Sequence, residues 1–160
     1  MKKISKVTSM IIGLVILLIL LDQAIKLVII INNPNKTIIQ NFIEIKLTEN
    51  TGGAFGVGQS STFSYIVTNV IVLGIIIKFM TNGNKLIDMK TKIVLSLVLA
   101  GGISNLLDRI IRGFVVEFIN IKNIPVFNLA DLYITIGWIG FVVIFTIFTF
   151  KEKRNKSDKE

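Results

Sequence analysis

The 160-residue chain contains no cysteine and no histidine. Without cysteine there is no disulfide, no thiolate nucleophile and no Cys-ligated metal. Without histidine the commonest general base and metal ligand is missing. Any proton chemistry therefore falls to carboxylates, lysine or tyrosine. A carboxylate-only site would suit Mg²⁺ or Ca²⁺ better than Zn²⁺, and nothing in the chain calls for a metal or another cofactor. Internal repeats, low-complexity stretches and linkers are also missing, so one domain, 1–160, is expected.

What the chain has in excess is apolar character, with 52% of its residues hydrophobic. That is high for an ordinary soluble domain. A bilayer core of roughly 30 Å needs about 20 apolar residues per helix. Four segments meet or approach this, at about 8–31, 61–80, 92–108 and 129–150. The expected fold class is an all-α membrane protein of four transmembrane helices. The first apolar run, from Met10 to Leu21, continues past Asp22 through 27–31 without a small-x-small cleavage site. It reads as a retained helix rather than a cleaved leader.

The net charge of +8 raises nucleic acid as a partner, but its distribution argues against one. Lys2, Lys3, Lys6, Lys78, Lys85, Lys90, Lys92, Lys151, Lys153, Arg154, Lys156 and Lys159 fall on one side of a four-helix topology. The acids on that side are Asp88, Glu152, Asp158 and Glu160. Lys26, Lys36, Lys46, Arg109, Arg112 and Lys122 fall on the other, matched by as many acids. The whole excess sits on one side, which the positive-inside rule makes cytoplasmic. Both termini are then cytoplasmic, and the basic tail is a solvated anchor beside anionic lipid.

The outer segments carry their own signals. Asn-Asn-Pro-Asn (32–35) breaks the first helix. The alternation over 42–47 predicts strand. The glycine-rich stretch 49–58 is not a phosphate-cradling loop, because no Lys-Ser/Thr follows and no βαβ context surrounds it. Its glycines allow close backbone approach, and segment 52–58 is expected to be mobile. Segment 109–127 is expected to be irregular or β-like, along the membrane surface. Gly101, Gly102 and Ser104 are small residues of the kind that let helices pack closely in lipid.

Three acids stand where a membrane protein tolerates them least: Asp108, Glu117 and Asp131. Ionisable groups at membrane depth are costly and are functional by default. Neighbouring acids also push each other's pKa values apart, which suits acid/base chemistry. Asp22 and Lys26, four apart, are expected to pair. Asp108 ends the third helix in this reading, with Arg109 as its ionic partner. Asn105 and Asp108, and likewise Asn128 and Asp131, are three apart and share a helical face. With Asn50, these residues fall at one depth, just inside the outer face. A small transporter would instead hold its acids near the midplane.

At these positions the chain resembles the lipoprotein signal peptidase, or signal peptidase II, family. Asp22-Gln23-Ala24-Ile25-Lys26 is similar to its first-helix motif, and Asn50-Thr51-Gly52-Gly53-Ala54-Phe55 to its Asn-x-Gly-x-Ala-Phe motif. The stretch 101–109, ending Asn105-Leu106-Leu107-Asp108-Arg109, resembles its third-helix motif. Val115-Val116-Glu117-Phe118 and Phe127-Asn128-Leu129-Ala130-Asp131 resemble its two catalytic segments. The resemblance covers nearly the whole chain. It implies a membrane aspartic endopeptidase that removes signal peptides from bacterial prolipoproteins, just before a diacylglyceryl-Cys. Substrate would enter laterally from membrane lipid, and the outer segments would form a small β-like extracytoplasmic cradle with a lid. The site would lie near the extracytoplasmic face of the cell membrane, in a monomer. Asp131 and Glu117 would be the catalytic pair, with Asp108 as a rival partner for Asp131. Asn105, Asn128, Asn50, Gly52, Ala130, Arg109, Asp22 and Lys26 would support them. The family has Asp where this chain has Glu117, and its connection from there to Asp131 is longer. A homologue that binds precursors without cutting them is the alternative that this departure raises.

Overall fold

The computed structural model describes residues 6–52, 62–83 and 86–157. These residues form, in chain order, helix α1 (Lys6–Asn32), strands β1 (Asn35–Ile39) and β2 (Ile43–Asn50), helices α2 (Thr62–Thr81) and α3 (Met89–Arg112), strand β3 (Val115–Ile121) and helix α4 (Leu129–Ser157). At 1.5 Å per residue even α2, with 20 residues, reaches about 30 Å. All four are long and apolar enough to cross a membrane.

The packing differs sharply among the four. More than half of the apolar window of α3 is buried inside the protein, against 17% or less for the other three. Helix α3 is the central element and packs against α1, α2 and α4. The outward faces of the others carry large exposed side chains, among them Leu17, Leu20, Ile75, Ile139 and Phe150. A soluble protein would not display so much apolar surface; hydrocarbon chains cover it at no cost. Lipid leaves no hydrophobic drive between helices, so close fit and polar contacts hold them together.

Glycine provides that fit. A Cβ on Gly101 would collide with the Ala130 carbonyl oxygen of α4. One on Gly137 would stand 2.6 Å from the Val94 carbonyl oxygen of α3. Gly102 faces Leu73 of α2, and Asn69 of α2 donates to the Gly102 carbonyl at 3.1 Å. The small-residue reading of 101–104 thus holds, and Gly137 adds to it from the opposite helix.

The strands form one antiparallel sheet in the order β1-β2-β3. The single strand expected over 42–47 lengthens to Asn50 and gains a hairpin partner. Asn41 makes that turn with φ +57, a region short polar side chains tolerate. Ile119 and Phe127 then pair in an antiparallel bridge, which brings the chain directly from β3 to the start of α4. A second cluster of apolar side chains, Ile29, Val116 and Phe118, seats the sheet on the end of α1.

Two boundaries depart from expectation with consequence. Helix α3 does not end at Asp108. It continues one more turn to Arg112 and stops at Gly113, which takes φ +83. Helix α4 extends past 150 to Ser157, because its basic tail keeps helical propensity. Residues 53–58 of the segment 52–58, which was expected to be mobile, lie outside the described residues, as do Lys2, Lys3, Lys85 and Lys159.

Candidate active site

The polar residues singled out in the sequence converge where the ends of α1, α3 and α4 meet the sheet. They divide into two groups.

The first is centred on Lys26, which is fully buried in α1. Its ammonium has three donors and finds three acceptors. These are Asp22 Oδ2 at 2.7 Å, Asp108 Oδ2 at 2.8 Å and Asn105 Oδ1 at 3.0 Å. Asp22 also accepts from Ser104 Oγ at 2.6 Å and from the Ala130 N–H at 2.9 Å. That last bond puts an anion at the N-terminus of α4, where the helix dipole favours one. So the expected Asp22–Lys26 pair forms, and it also anchors α4.

Asp108, likewise fully buried, accepts from four donors. Lys26 and the Val116 N–H (3.1 Å) share Oδ2, while Gln23 Nε2 (3.0 Å) and Arg112 share Oδ1. Its ionic partners are thus Lys26 and Arg112, not the adjacent Arg109. The reason is helical geometry: residue 112 lies one turn on, beside 108, whereas residue 109 is rotated away. Arg109 instead donates to the carbonyls of Gly52 (3.0 Å) and Asn105 (3.4 Å) and lies 5.3 Å from the centre of the Tyr65 ring. Gln23, Ser104 and Arg112 were missed by sequence reasoning. The one available signal was the i,i+4 spacing of Asp108 and Arg112.

The second group contains Glu117 and Asp131. Asn128 and Asp131 do not share a helical face. Asn128 precedes α4 as its cap, and the two form a reciprocal capping box. Asn128 Oδ1 accepts from the Asp131 N–H at 2.8 Å, and Asp131 Oδ2 accepts from the Asn128 N–H at 3.1 Å. Asn128 Nδ2 donates to the Val116 carbonyl and to Asn105 Oδ1, both at 3.0 Å. Asn105 Nδ2 completes the circuit by donating to Asp131 Oδ1 at 2.8 Å. Strand β3 presents Glu117 opposite Thr48, beside a bulge in β2. Bulges re-aim side chains in this way. Asn50 Nδ2 donates to Glu117 Oε1 at 2.6 Å, while Asn50 Oδ1 accepts from the Gly52 N–H at 2.8 Å. Burial pushes the Glu117 carboxyl up to about 6; the Asn50 bond pulls the other way, and the nearby Asp131 charge adds to the rise.

A cavity of about 770 Å³ opens at this second group. Glu117, Asp131, Asn50, Asn105 and Arg109 line it together with the apolar residues Ile124, Val126, Phe127, Leu132 and Ile134. Asp22, Lys26 and Asp108 do not line it. Its size is that of a ligand pocket, and a few convergent polar groups among apolar ones are usual in such sites.

The fold and the site define a multi-pass membrane protein with a carboxylate-lined pocket at the junction of helices and sheet. A family model described as signal peptidase (SPase) II matches residues 14–148, and the chain belongs to that family. It is 34% identical over 128 residues to a lipoprotein signal peptidase of Staphylococcus aureus, covering 77% of this chain and 75% of that protein. It is 33% identical over 128 residues to a lipoprotein signal peptidase of Halothermothrix orenii, covering 77% and 86%. Two structures of bacterial membrane enzymes obtained by the in meso method share the fold. The one at 2.3 Å has TM-score 0.78 and 26% identity over 95% of this chain and 94% of its own. The one at 1.9 Å has TM-score 0.75 and 25% identity over 86% and 92%. The protein is thus a protease of the cell membrane.

Proposed function

We propose that this protein removes signal peptides from bacterial prolipoproteins by aspartic-type hydrolysis, cutting just before a Cys that carries diacylglycerol, with Glu117 and Asp131 as the catalytic pair. One observation carries the reading. Among the described residues, Glu117 and Asp131 line the cavity together with the exposed Glu49, whereas Asp22 and Asp108 are consumed by internal partners. Asp108 as the partner of Asp131 is therefore disfavoured.

The chemistry follows from two carboxyls that share one proton because both cannot ionise comfortably. The ionised member takes a proton from water as the water oxygen bonds to the scissile carbonyl carbon. The protonated member gives its proton to the carbonyl oxygen, which leaves a neutral gem-diol. The first member then hands its new proton to the amine as the C–N bond breaks. One gem-diol hydroxyl returns its proton to the second member, and the pair is restored. Asn50, Asn105 and Asn128 hold the two carboxyls in place, and Ala130 and Gly52 supply backbone contacts on either side.

The mixed lining of the cavity suits a peptide flanked by an acyl chain entering from lipid. The charge asymmetry of the chain supports cytoplasmic termini and a site near the outer face, in a single domain that works as a monomer. The extra methylene of Glu117 is accommodated by the short β3–α4 connection and by Asn50. The deciding experiment is cleavage of a diacylglyceryl-modified prolipoprotein by purified wild type beside Glu117→Asp, Glu117→Gln and Asp131→Asn. Wild type is expected to cut, and Glu117→Gln and Asp131→Asn to be inactive. Cutting by Glu117→Asp alone would mean a precursor-binding protein, and equal cutting by wild type and Glu117→Gln would reject the pair.

A further inference from the structure

We infer that the two carboxyls have fixed and different roles: Asp131 is the ionised base that receives the proton of water, and Glu117 carries the proton given to the carbonyl oxygen. This rests on the proposed pair and adds what the geometry says about its proton.

The argument follows hydrogen-bond direction. The Asp131 backbone N–H can only donate, so the Asn128 atom that it meets must be Oδ1. Asn128 must then point its Nδ2 at the Val116 carbonyl and at Asn105. The Asn105 atom that receives it must be Oδ1. The Lys26 ammonium, another pure donor, reaches that same oxygen. Asn105 therefore has only its Nδ2 to offer Asp131. The other Asp131 oxygen meets the Asn128 N–H, again a pure donor. Both oxygens of Asp131 thus face N–H donors, which cannot accept a hydrogen bond from a protonated carboxyl. Donors to a carboxylate favour its charged form. A cation on Asn105 Oδ1 polarises the amide and strengthens the bond it makes on the far side.

Glu117 differs. Its Oε1 receives the Asn50 amide, and its carboxyl stands among apolar walls. Burial that lifts it to about 6 agrees with its role as the proton carrier. The charged and titratable groups around the pair are Asp22 and Lys26 of α1, Glu49 of β2, Asp108, Arg109 and Arg112 of α3, Tyr65 of α2 and Tyr133 of α4. Asp22, Lys26, Asp108 and Arg112 cancel in charge, so Arg109 is the one uncompensated cation among them. It acts on both acids.

The test is infrared spectroscopy of the full-length wild-type protein at about pH 5.5, with glutamate or aspartate selectively ¹³C-labelled. The difference spectrum against Glu117→Gln isolates the protonated carboxyl. The expected result is one protonated-carboxyl band that shifts with labelled glutamate and not with labelled aspartate. A band that follows the aspartate label overturns the inference, as does the lack of any such band between about pH 5 and 6. In Asn105→Leu, which removes no charge, part of the band is expected to move to the aspartate label. The low-pH limb of its cleavage profile is expected to rise by about one pH unit. An unchanged band and limb would remove Asn105 as the positioning residue. Cleavage by Glu117→Gln as fast as wild type would sink the pair itself, a failure distinct from a misplaced proton.

Discussion

Asp108→Asn and Glu117→Gln are the same chemical change at two buried acids nine residues apart, and the structure demands opposite outcomes. At 108 an amide keeps one acceptor and turns its NH₂ towards two donors. If it faces one way those are Gln23 and Arg112; if it faces the other they are Lys26 and the Val116 N–H. Either orientation breaks two hydrogen bonds and leaves a buried cation short of its counter-ion. Breaking a buried pair from one side costs about 3–5 kcal/mol. In a chain of this size that lowers the unfolding midpoint by roughly 10 °C.

At 117 the sign reverses. The carboxyl titrates at about 6 in the folded protein, above its ordinary 4.5. The folded state therefore holds this proton more tightly than the unfolded chain does. Stability from this group is greatest below about pH 4.5 and declines as pH rises through 6. At pH 7 the ionised form costs about 1 kcal/mol, after discounting for the open cavity beside it. Glu117→Gln removes that cost, so it should unfold at the wild-type temperature or a few degrees above while losing cleavage. Asp108→Asn should unfold early, yet its folded fraction should cut within about tenfold of wild type. The assay is thermal unfolding in detergent micelles, with cleavage normalised to folded protein. A stable, inactive Asp108→Asn beside a cutting Glu117→Gln would refute the reasoning.

Three further outcomes follow from the same contacts. If Glu117 must carry a proton, kcat/KM should be high below about pH 6 and fall as pH rises through it, read from an initial-rate profile. Asn50→Leu removes the bond that favours ionised Glu117. The same limb should move up by about one pH unit while kcat drops roughly tenfold. Gly101→Ala puts a methyl group against the Ala130 carbonyl, one residue from Asp131. A displacement of about 1 Å there should cost about a hundredfold in kcat, with a loss of thermal stability measured alongside.

The four spans were legible because about 20 apolar residues have few other uses, and the site residues because polar groups at one depth in lipid need a reason. Partnerships were less legible. Asp108 and Arg109 are adjacent in sequence but point apart on a helix, and one further turn of α3 brought Arg112 to the carboxyl instead. The spacing of Asn128 and Asp131 fits both a shared face and a capping box. Only the position of the helix start, set by the Ile119–Phe127 bridge, separates the two. Gln23 reaches three acceptors on α3, a role that depends on which face of α1 meets that helix. Near-uniform hydrophobicity erases this from the pattern, since lipid-facing and protein-facing positions look alike.

Charge accounting explains why a membrane protein can hold so many ionisable groups at one depth. Asp22, Lys26, Asp108 and Arg112 sum to zero and bond one another, neighbouring polar side chains or backbone N–H groups, so burying them together leaves no uncompensated charge. Their contacts tie α1 to α3, α4 and β3, the elements that carry Asn105, Asp131 and Glu117. Glu117, Asp131 and Arg109 face the cavity instead. In the proposed pair, one shared proton leaves the two acids a single negative charge beside the Arg109 cation. The low-dielectric setting penalises a second charge on the pair, which is why the proton is held below about pH 6 and given up as pH rises above it.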